Sequence, residues 1–195
     1  YTPTSGMICL NGKEYKTLTP TLSRELGINI VYQENDLVPT MNVYENIYIG
    51  NEEGKGFGFV DFKKMRSETM SQMESLGIDI NPDTKIEDLS VSDQQFVKIL
   101  KALSDEPKIL IMDEPTSMFN VEDAAKVLTL AEKIADKGIG IIYISHYLKE
   151  IVQIADRITI IRDGQVINTY SNANRDLSIA TITKDMVGRP VDTFY

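Results

Sequence analysis

Three apolar runs in this 195-residue sequence each end in polar side chains: Gln33 follows the first, Asp113 and Glu114 the second, Ser145 and His146 the third. If the runs are neighbouring strands of a parallel sheet, their carboxyl ends lie at one edge, where ligands bind. One amide, two adjacent carboxylates and one imidazole fit a phosphate together with Mg²⁺, which prefers few carboxylates, water and substrate phosphates.

The chemistry indicated is phosphoryl transfer to water. Asp113 would serve the metal, Glu114 would orient or deprotonate the attacking water, and His146 would donate to a terminal phosphate. Each signal also has a structural interpretation when taken singly. An Asp-Glu-Pro sequence is typical of a strand-ending turn, a single His is often structural, Gln33 alone indicates little, and Leu-Ser before a helix is a cap.

The elements that must position these residues are strands and a crossover helix. The run 108–112, a helix ended by Gly138 and the run 139–144 form a strand–helix–strand unit, with both strands predicted to be buried on both faces. The apolar positions of that helix are Val121, Ala125, Leu128, Ala131 and Ile134. The dipeptides Asn11-Gly12 and Asp163-Gly164 predict two hairpin turns.

Helices are predicted between the first and second of these strands. One begins at Asn42, which has capping-box spacing with Glu45, and runs towards Gly50; a Gly-rich loop over 54–58 follows. The next ends at Gly77, and its apolar face is core or an adaptable partner surface. The residues of that face are Phe62, Met65, Thr69, Met73 and Leu76.

A further helix is predicted from a capping box between Ser92 and Gln95. Its apolar stripe is Phe96, Val97, Ile99, Leu100 and Leu103. After the last strand of the crossover unit, a helix carries Leu148, Ile151, Val152 and Ala155. The tail 168–195 is predicted to be polar and irregular.

Composition excludes several function classes. There are 20 Lys and Arg against 29 Asp and Glu, and a net charge of −9 opposes a general nucleic-acid-binding role. One Cys and one His exclude an internal disulfide and a multi-histidine metal site. The uncharged stretch 138–148 is too short to span a bilayer. The sequence opens without Met or an apolar leader, which indicates a fragment. Taken together, these features indicate a soluble protein of a reducing compartment.

Several short motifs occur in an informative order: Ile30-Val-Tyr-Gln33, Leu89-Ser-Val-Ser-Asp-Gln-Gln95, Ile109-Leu-Ile-Met-Asp-Glu-Pro-Thr-Ser117 and Ile142-Tyr-Ile-Ser-His146. This order resembles the Q-loop, signature motif, Walker B strand and switch histidine of ABC transporter ATP-binding subunits. More narrowly, the chain resembles the first nucleotide-binding domain of the tandem ATPases of ribose/galactose-type importers. The segments 1–6, 37–46 and 186–189 resemble other parts of that domain, so the likeness covers nearly the whole chain.

The resemblance implies an α/β fold: a P-loop NTPase-type core of mainly parallel sheet with helices on both faces, an antiparallel β part and an inserted helical subdomain. It implies one incomplete domain over 1–195. Its parts are about 1–36 (β part and Q-loop), 37–92 (helical subdomain with the signature), 93–170 (core unit with Walker B and switch histidine) and 171–195 (tail or linker).

The resemblance also implies residue roles, with ATP and Mg²⁺ as cofactors. Gln33 would sense Mg²⁺ and the attacking water, and Asp113 would bind Mg²⁺ through water. Glu114 would be the catalytic base and His146 would contact the γ-phosphate. Ser90, at a helix N-terminus, would reach the γ-phosphate of ATP bound to a partner domain.

Departures from the family pattern affect these expectations. The Walker A loop would lie before Tyr1, so this chain alone is expected to bind ATP poorly and not to hydrolyse it. Val91 and Ser92 replace two glycines, and Asp93 stands where the family usually has Gln. Asp93 either repels the phosphate or favours the positive helix end and points away. Asn120 stands where many members have Asp.

The leading functional hypothesis is the ATP-hydrolysing, energy-coupling subunit of an ABC sugar importer at the cytoplasmic face of the bacterial membrane. Its expected partners are transmembrane permease subunits, a second ATP-binding domain and, indirectly, a periplasmic or extracellular sugar-binding protein, with no nucleic acid. A degenerate ATP-binding half with little turnover is the alternative; an ABC-type ATPase of DNA repair or translation is disfavoured by charge. The segment 37–44 either docks the permease or belongs to the core.

Overall fold

The computed structural model describes residues 3–33, 36–51 and 60–187. Strands β1 (Ile8–Leu10) and β2 (Lys13–Tyr15) pair antiparallel through Asn11 and Gly12, whose φ angles are 50° and 76°. Positive φ at both central residues is what a two-residue hairpin turn requires. The predicted hairpin is therefore confirmed. Helix α1 (Pro20–Glu25) follows this hairpin.

A parallel sheet of three strands forms the centre. Its order is β3 (Ile28–Val31), β4 (Ile109–Asp113) and β5 (Gly140–Ile144). Val31 pairs with Met112 and Asp113 pairs with Ile144, so the three carboxyl ends lie at the same edge. The predicted strand–helix–strand unit and the α/β fold class are confirmed.

Helices α2 (Val43–Tyr48) and α3 (Phe62–Leu76) lie between β3 and β4 in the chain. At the start of α2, the Glu45 carboxylate accepts the N–H of Asn42 at 2.8 Å, as the capping box predicts. Helix α3 ends at Gly77, which has a φ of 71°. Its buried residues Met65, Thr69, Met73 and Leu76 show that the Met-rich face is core. The predicted Gly-rich loop over 54–58 lies outside the described residues.

The prediction that Phe62 belongs to the apolar face of α3 is wrong. Phe62 is 52% exposed, because it is the first residue of the helix and lies beyond the buried stripe. Its ring contacts Tyr44 edge-on, with 6.4 Å between the ring centroids.

Helix α4 (Val91–Leu103) begins earlier than predicted, after a 3₁₀ turn over Ile86–Asp88. Ser90 is the cap: its backbone is extended and its hydroxyl accepts the N–H of Asp93 at 3.1 Å. The predicted cap at Ser92 is wrong, because Ser92 already lies within the first turn. The apolar stripe is confirmed, with Phe96 only partly buried.

Helix α5 (Val121–Asp136) connects β4 to β5. Its buried residues are Ala124, Val127, Leu128, Leu130, Ala131 and Ile134. Val121 is 87% exposed and Ala125 is also exposed, so these two predicted core positions are wrong. Val121 has nearly the same angular position as Leu128, seven residues on. It is exposed because no described element covers the first turn of α5.

Strand β5 departs from the expectation of burial on both faces. Ile142 and Ile144 are 50% and 45% exposed, whereas Ile141 and Tyr143 on the opposite face are partly buried. β5 is an edge strand of the described sheet, and α5 contacts it from one side. In the middle strand β4, Leu110 and Met112 have no exposure. The main core is one continuous cluster of residues from the sheet, α2, α3, α4 and α5.

A second cluster packs β6 (Arg157–Arg162) and β7 (Gln165–Ser171) against α6 (Leu148–Ile154) and α7 (Ile179–Val187). The hairpin turn has φ of 52° at Asp163 and 74° at Gly164, as predicted. The prediction of an irregular tail over 168–195 is wrong for residues 168–187, the part that the structure describes. β7 extends to Ser171 by pairing with β6, and α7 forms because Ile182 is buried against this hairpin. None of the described helices is long and apolar enough to cross a membrane.

Candidate active site at the carboxyl edge of the sheet

Glu114 and His146 meet where β4 and β5 end. The His146 ring donates from Nδ1 to Glu114 Oε1 at 2.8 Å, because an ionised carboxylate only accepts. The backbone N–H of Glu114 also donates to the carbonyl oxygen of Ile144 at 2.9 Å. This contact continues the β4–β5 pairing one residue past the strand and places the two side chains side by side.

The backbone at Glu114 has a conformation that side chains rarely adopt. Its φ is +50°, a left-handed geometry that disfavours a residue with a Cβ. Pro115 and Thr116 follow in a tight turn that is buried against the sheet, and Ser117 donates its N–H to the carbonyl of Glu114 at 3.3 Å. The turn therefore directs the Glu114 side chain towards His146 instead of continuing the alternation of the strand.

The second oxygen of the Glu114 carboxylate has no hydrogen-bond partner among the described residues, although this atom is buried. The side chain as a whole is 22% exposed and that of His146 is 59% exposed. Buried polar atoms are nearly always hydrogen-bonded, so an unpaired one calls for an additional partner. The missing partner would be a water molecule, free or bound to a metal ion, that donates a hydrogen bond to Glu114 Oε2.

The other sequence-predicted residues of this edge are placed by the ends of β3 and β4. Asp113 is the last residue of β4 and is half-buried. Gln33 is exposed, two residues beyond β3, the strand that pairs with β4. Of the four predicted side chains, the pair in direct contact is Glu114 and His146. The side-chain oxygens of Asp113, Glu114 and Gln33 are the ligand type that Mg²⁺ prefers, and one or two carboxylates are enough for that ion. Among the described residues, no cluster of three or more acidic, His or Cys side chains forms a metal site.

Ser90 lies apart from this group, at the N-terminus of α4. Its hydroxyl donates to the Asp93 carboxylate at 2.7 Å, lies 3.0 Å from the hydroxyl of Ser92 and accepts the Asp93 N–H. Of the two alternatives for Asp93, the position at the positive end of the helix is observed, and there the carboxylate accepts the proton of Ser90. An incoming anion would meet this negative charge.

A cavity of about 440 Å³ lies away from the strand ends. It lies between the end of α3 and the helices α4 and α5, where it is lined by Asp93, Phe96, Lys126 and Lys133 among others. None of the four predicted residues of the strand ends lines this cavity. The candidate site is therefore the group of side chains at the strand ends.

Three polar residues behind the strand ends were not found from the sequence: Thr116, Tyr143 and Glu150. Thr116 Oγ1 and Tyr143 Oη both donate to Glu150 Oε2, at 2.7 and 2.9 Å. Burial, above all, raises the pKa of the Tyr143 phenol far above its usual value, with the Glu150 and Glu114 charges adding to the effect and the hydrogen bond with Thr116 opposing it. The only sequence signal is a Tyr within an apolar strand, which needs a partner for its hydroxyl when buried.

Asn46 is a second residue that sequence reasoning missed, and it organises the segment after Gln33. It has no exposure, and its amide accepts the N–H of Val38 at 2.7 Å and donates to the carbonyls of Val38, Met41 and Asn42. Leu37 and Val43 are buried in the core, whereas Pro39 and Thr40 are exposed at the tip. The core interpretation is thus confirmed for part of the segment 37–44.

We expect Asn46→Ala to lower the free energy of unfolding of the full-length protein by about 2–4 kcal/mol, since buried backbone groups each cost about 1–3 kcal/mol when unpaired. Chemical denaturation of the two proteins measures the difference. Asn81→Ala is the matched control, because Asn81 is exposed and accepts a single turn hydrogen bond from Asp83. Equal losses for the two variants would contradict this role of Asn46.

Comparisons with known proteins agree with this fold. The sequence model described as ABC transporter matches residues 1–117. The chain therefore belongs to the ABC transporter family. An ATP-binding cassette of an ABC transporter solved in its ADP conformation aligns with a TM-score of 0.80 over 97% of this chain and 79% of that chain, at 22% identity. A nucleotide-free cassette aligns with a TM-score of 0.79 over 97% and 76%, at 21% identity.

The curated relatives are more similar in sequence. A putative ribose/galactose/methyl galactoside import ATP-binding protein of Agrobacterium fabrum is 41% identical over 98% of this chain and 37% of its own length. A ribose import ATP-binding protein of Streptomyces avermitilis is 36% identical over 99% of this chain and 38% of its own length. The chain thus spans little more than a third of the relatives it matches.

Proposed function

We propose that the chain is part of the ATP-hydrolysing subunit of an importer of ribose- or galactose-type sugars. The observation that carries the proposal is the Glu114–His146 pair, with its unpaired buried carboxylate oxygen at the carboxyl edge of a parallel sheet. The import of these sugars is supported by the names of the relatives from Agrobacterium fabrum and Streptomyces avermitilis.

The proposed chemistry assigns different tasks to the two oxygens of Glu114. Oε1 accepts the His146 hydrogen bond, which fixes the orientation of the carboxylate, and Oε2 takes the proton of the attacking water. His146 is largely exposed, and its Nε2, which is not used in the bond to Glu114, would donate to the γ-phosphate when it carries a proton. Asp113 and Gln33 would bind Mg²⁺, which supplies charge neutralisation on the phosphate oxygens when bound.

Ser90 completes a second site in this proposal. The N-terminus of α4 carries the positive end of the helix dipole and the backbone N–H groups that anions bind. The side-chain hydrogen bonds of Ser90 that the structure describes are to its own turn, and we propose that it acts on ATP bound to a second ATP-binding domain. The tandem arrangement of the resembled ATPases would supply that domain.

The proposed membrane contact is the exposed tip of the segment 37–44. Pro39 and Thr40 are exposed in a turn that Asn46 holds through its amide, and Pro39 follows Gln33 by six residues in the chain. We propose that this tip docks a transmembrane permease at the cytoplasmic face of the membrane. A sugar-binding protein outside the membrane would act through that permease.

The second candidate function is a degenerate ATP-binding half of a tandem ATPase that hydrolyses little ATP itself, and the position of Asp93 favours it. The carboxylate already accepts the Ser90 proton that an incoming phosphate would otherwise receive. The side chain of Asn120, which stands where many members of the family have Asp, caps α5 by accepting the Asp123 N–H at 2.8 Å.

Asp93→Asn should therefore tighten nucleotide binding by the full-length protein. Removing a charge repulsion of about 1 kcal/mol strengthens affinity about fivefold, and the gain should shrink in high salt. Titration with ATP in the absence of turnover measures the change. Asp79→Asn, which removes the same charge from an exposed position bordering the same cavity, should leave affinity unchanged. Equal affinities of wild type and Asp93→Asn would contradict the repulsion.

Transport in membrane vesicles tests the proposed function as a whole. Vesicles that contain the full-length protein with its permease should accumulate labelled ribose or galactose only when ATP is supplied at the cytoplasmic side. Uptake that is independent of ATP, or ATP hydrolysis without uptake of either sugar, would overturn the sugar-import proposal.

A further inference from the structure

A polar cluster of Thr116, Tyr143 and Glu150 lies behind the candidate active site. Glu150 Oε2 accepts from Thr116 Oγ1 at 2.7 Å and from Tyr143 Oη at 2.9 Å, while the two hydroxyl oxygens are 3.4 Å apart. The short contacts are hydroxyl-to-carboxylate bonds, which are stronger than bonds between neutral groups. One carboxylate oxygen therefore joins three separate segments of the chain.

The surroundings of the cluster determine which of its groups carry a proton. Thr116 is 2% exposed, and Tyr143 and Glu150 are partly buried. Burial, together with the Glu150 charge, keeps the pKa of Tyr143 above its usual value, so the phenol retains its proton and donates. Both hydroxyls donate and the carboxylate accepts, so each replacement that removes one hydroxyl removes one defined bond.

The three segments are those that carry Glu114 and His146. Thr116 lies two residues after Glu114, in the same turn. Tyr143 lies in β5 three residues before His146, and Glu150 lies in the first turn of α6, four residues after it. Three further contacts join the turn after β4 to these segments: the backbone bond from Glu114 to the Ile144 carbonyl, the Glu114–His146 bond, and a 3.5 Å bond from Tyr147 Oη to the Ser117 carbonyl. The cluster adds to them by holding the turn against both sides of the loop that carries His146.

We propose that Thr116, Tyr143 and Glu150 are positioning residues that keep the Glu114 and His146 loops at the separation needed for hydrolysis. The proposal rests on the proposed ATPase function. Misplacement of reacting groups by about 1 Å can cost about 10²-fold in rate, so the loss of one bond of the cluster should reduce turnover without removing any group that contacts ATP.

Steady-state ATP hydrolysis by the full-length protein tests the proposal. Thr116→Val and Tyr143→Phe should each lower kcat about tenfold with KM for ATP within about twofold of wild type. Thr116→Ser, which keeps the hydroxyl, should restore most of the activity. Tyr170→Phe is the matched control, because Tyr170 donates to the Asp185 carboxylate at 2.7 Å in the second cluster, away from the site. It should leave kcat unchanged.

Epistasis with His146 separates positioning from general stability. In a His146→Ala background, Thr116→Val should change single-turnover hydrolysis by less than about twofold, because residues that act as a unit have non-additive effects. A tenfold loss in both backgrounds, or a lowered unfolding temperature with unchanged kcat, would overturn the positioning role.

Glu114→Gln in the same assay distinguishes this inference from the proposed function. If Glu114→Gln abolishes turnover while Thr116→Val and Tyr143→Phe leave kcat unchanged, the positioning role alone is overturned. If Glu114→Gln leaves turnover unchanged, the catalytic assignment itself fails, and the positioning role fails with it.

Discussion

Glu114→Gln in the full-length protein should lower ATP hydrolysis at this site by at least ~10²-fold while ATP binding is preserved, as expected for the loss of a general base. The amide oxygen of glutamine can still accept the His146 Nδ1–H, so the geometry of the pair is retained. What is lost is the carboxylate oxygen that is buried and unpaired, which is the atom placed to accept a proton from water.

Two measurements on each protein are needed for this prediction: single-turnover hydrolysis of labelled ATP and equilibrium binding of ATP. Glu132→Gln, the same change at an exposed position of α5, should leave both unchanged. Undiminished single-turnover hydrolysis by Glu114→Gln would show that Glu114 is not the base. A parallel loss of binding would instead assign Glu114 to nucleotide affinity.

His146→Ala is expected to lower kcat about 10²–10³-fold, the range seen when one preorganised donor to a developing negative charge is removed. The side chain is 59% exposed and contacts the Glu114 carboxylate, so the change removes the proposed donor to phosphate and also the hydrogen bond to Glu114 Oε1. Binding of ATP should weaken much less, because the interaction is made mainly in the transition state.

Chemical rescue provides a sharp control for His146. Because the ring is exposed, its removal opens a space at the surface that free imidazole can enter, and added imidazole should restore part of the lost hydrolysis in His146→Ala but not in Glu114→Gln. The double variant should be no slower than Glu114→Gln alone, since the two residues act as a unit. Full additivity of the two losses would contradict the pairing.

Local signals in the sequence predicted much of the fold. Asn11-Gly12 and Asp163-Gly164 occur in hairpin turns with positive φ at both residues, and Gly77 ends α3 in the left-handed conformation. These outcomes depend on the conformational freedom of a few residues, which neighbours in sequence largely decide. The strand–helix–strand unit followed in the same way from continuous apolar runs separated by a helical period.

The errors share a different cause. Ile142 and Ile144 are apolar in sequence yet half-exposed, because burial depends on which strand or helix lies beside them. Val121 has the helical phase of the core yet is exposed, because no described element packs on the first turn of α5. The helix α7 was missed because its stability comes from Ile182 packing on the β6–β7 hairpin rather than from a strong local pattern.

The amino-acid sequence by itself determined which chemical groups end the strands: an amide at Gln33, carboxylates at Asp113 and Glu114, and an imidazole at His146. Tertiary structure alone decided that Glu114 and His146 form a hydrogen-bonded pair, that Asp93 bonds to Ser90, and that Glu150 joins the turns behind the site. The physical reason is that residue type sets what a side chain can donate or accept. Which donor meets which acceptor depends on strand order and on the backbone turn after each strand, which packing over the whole chain establishes.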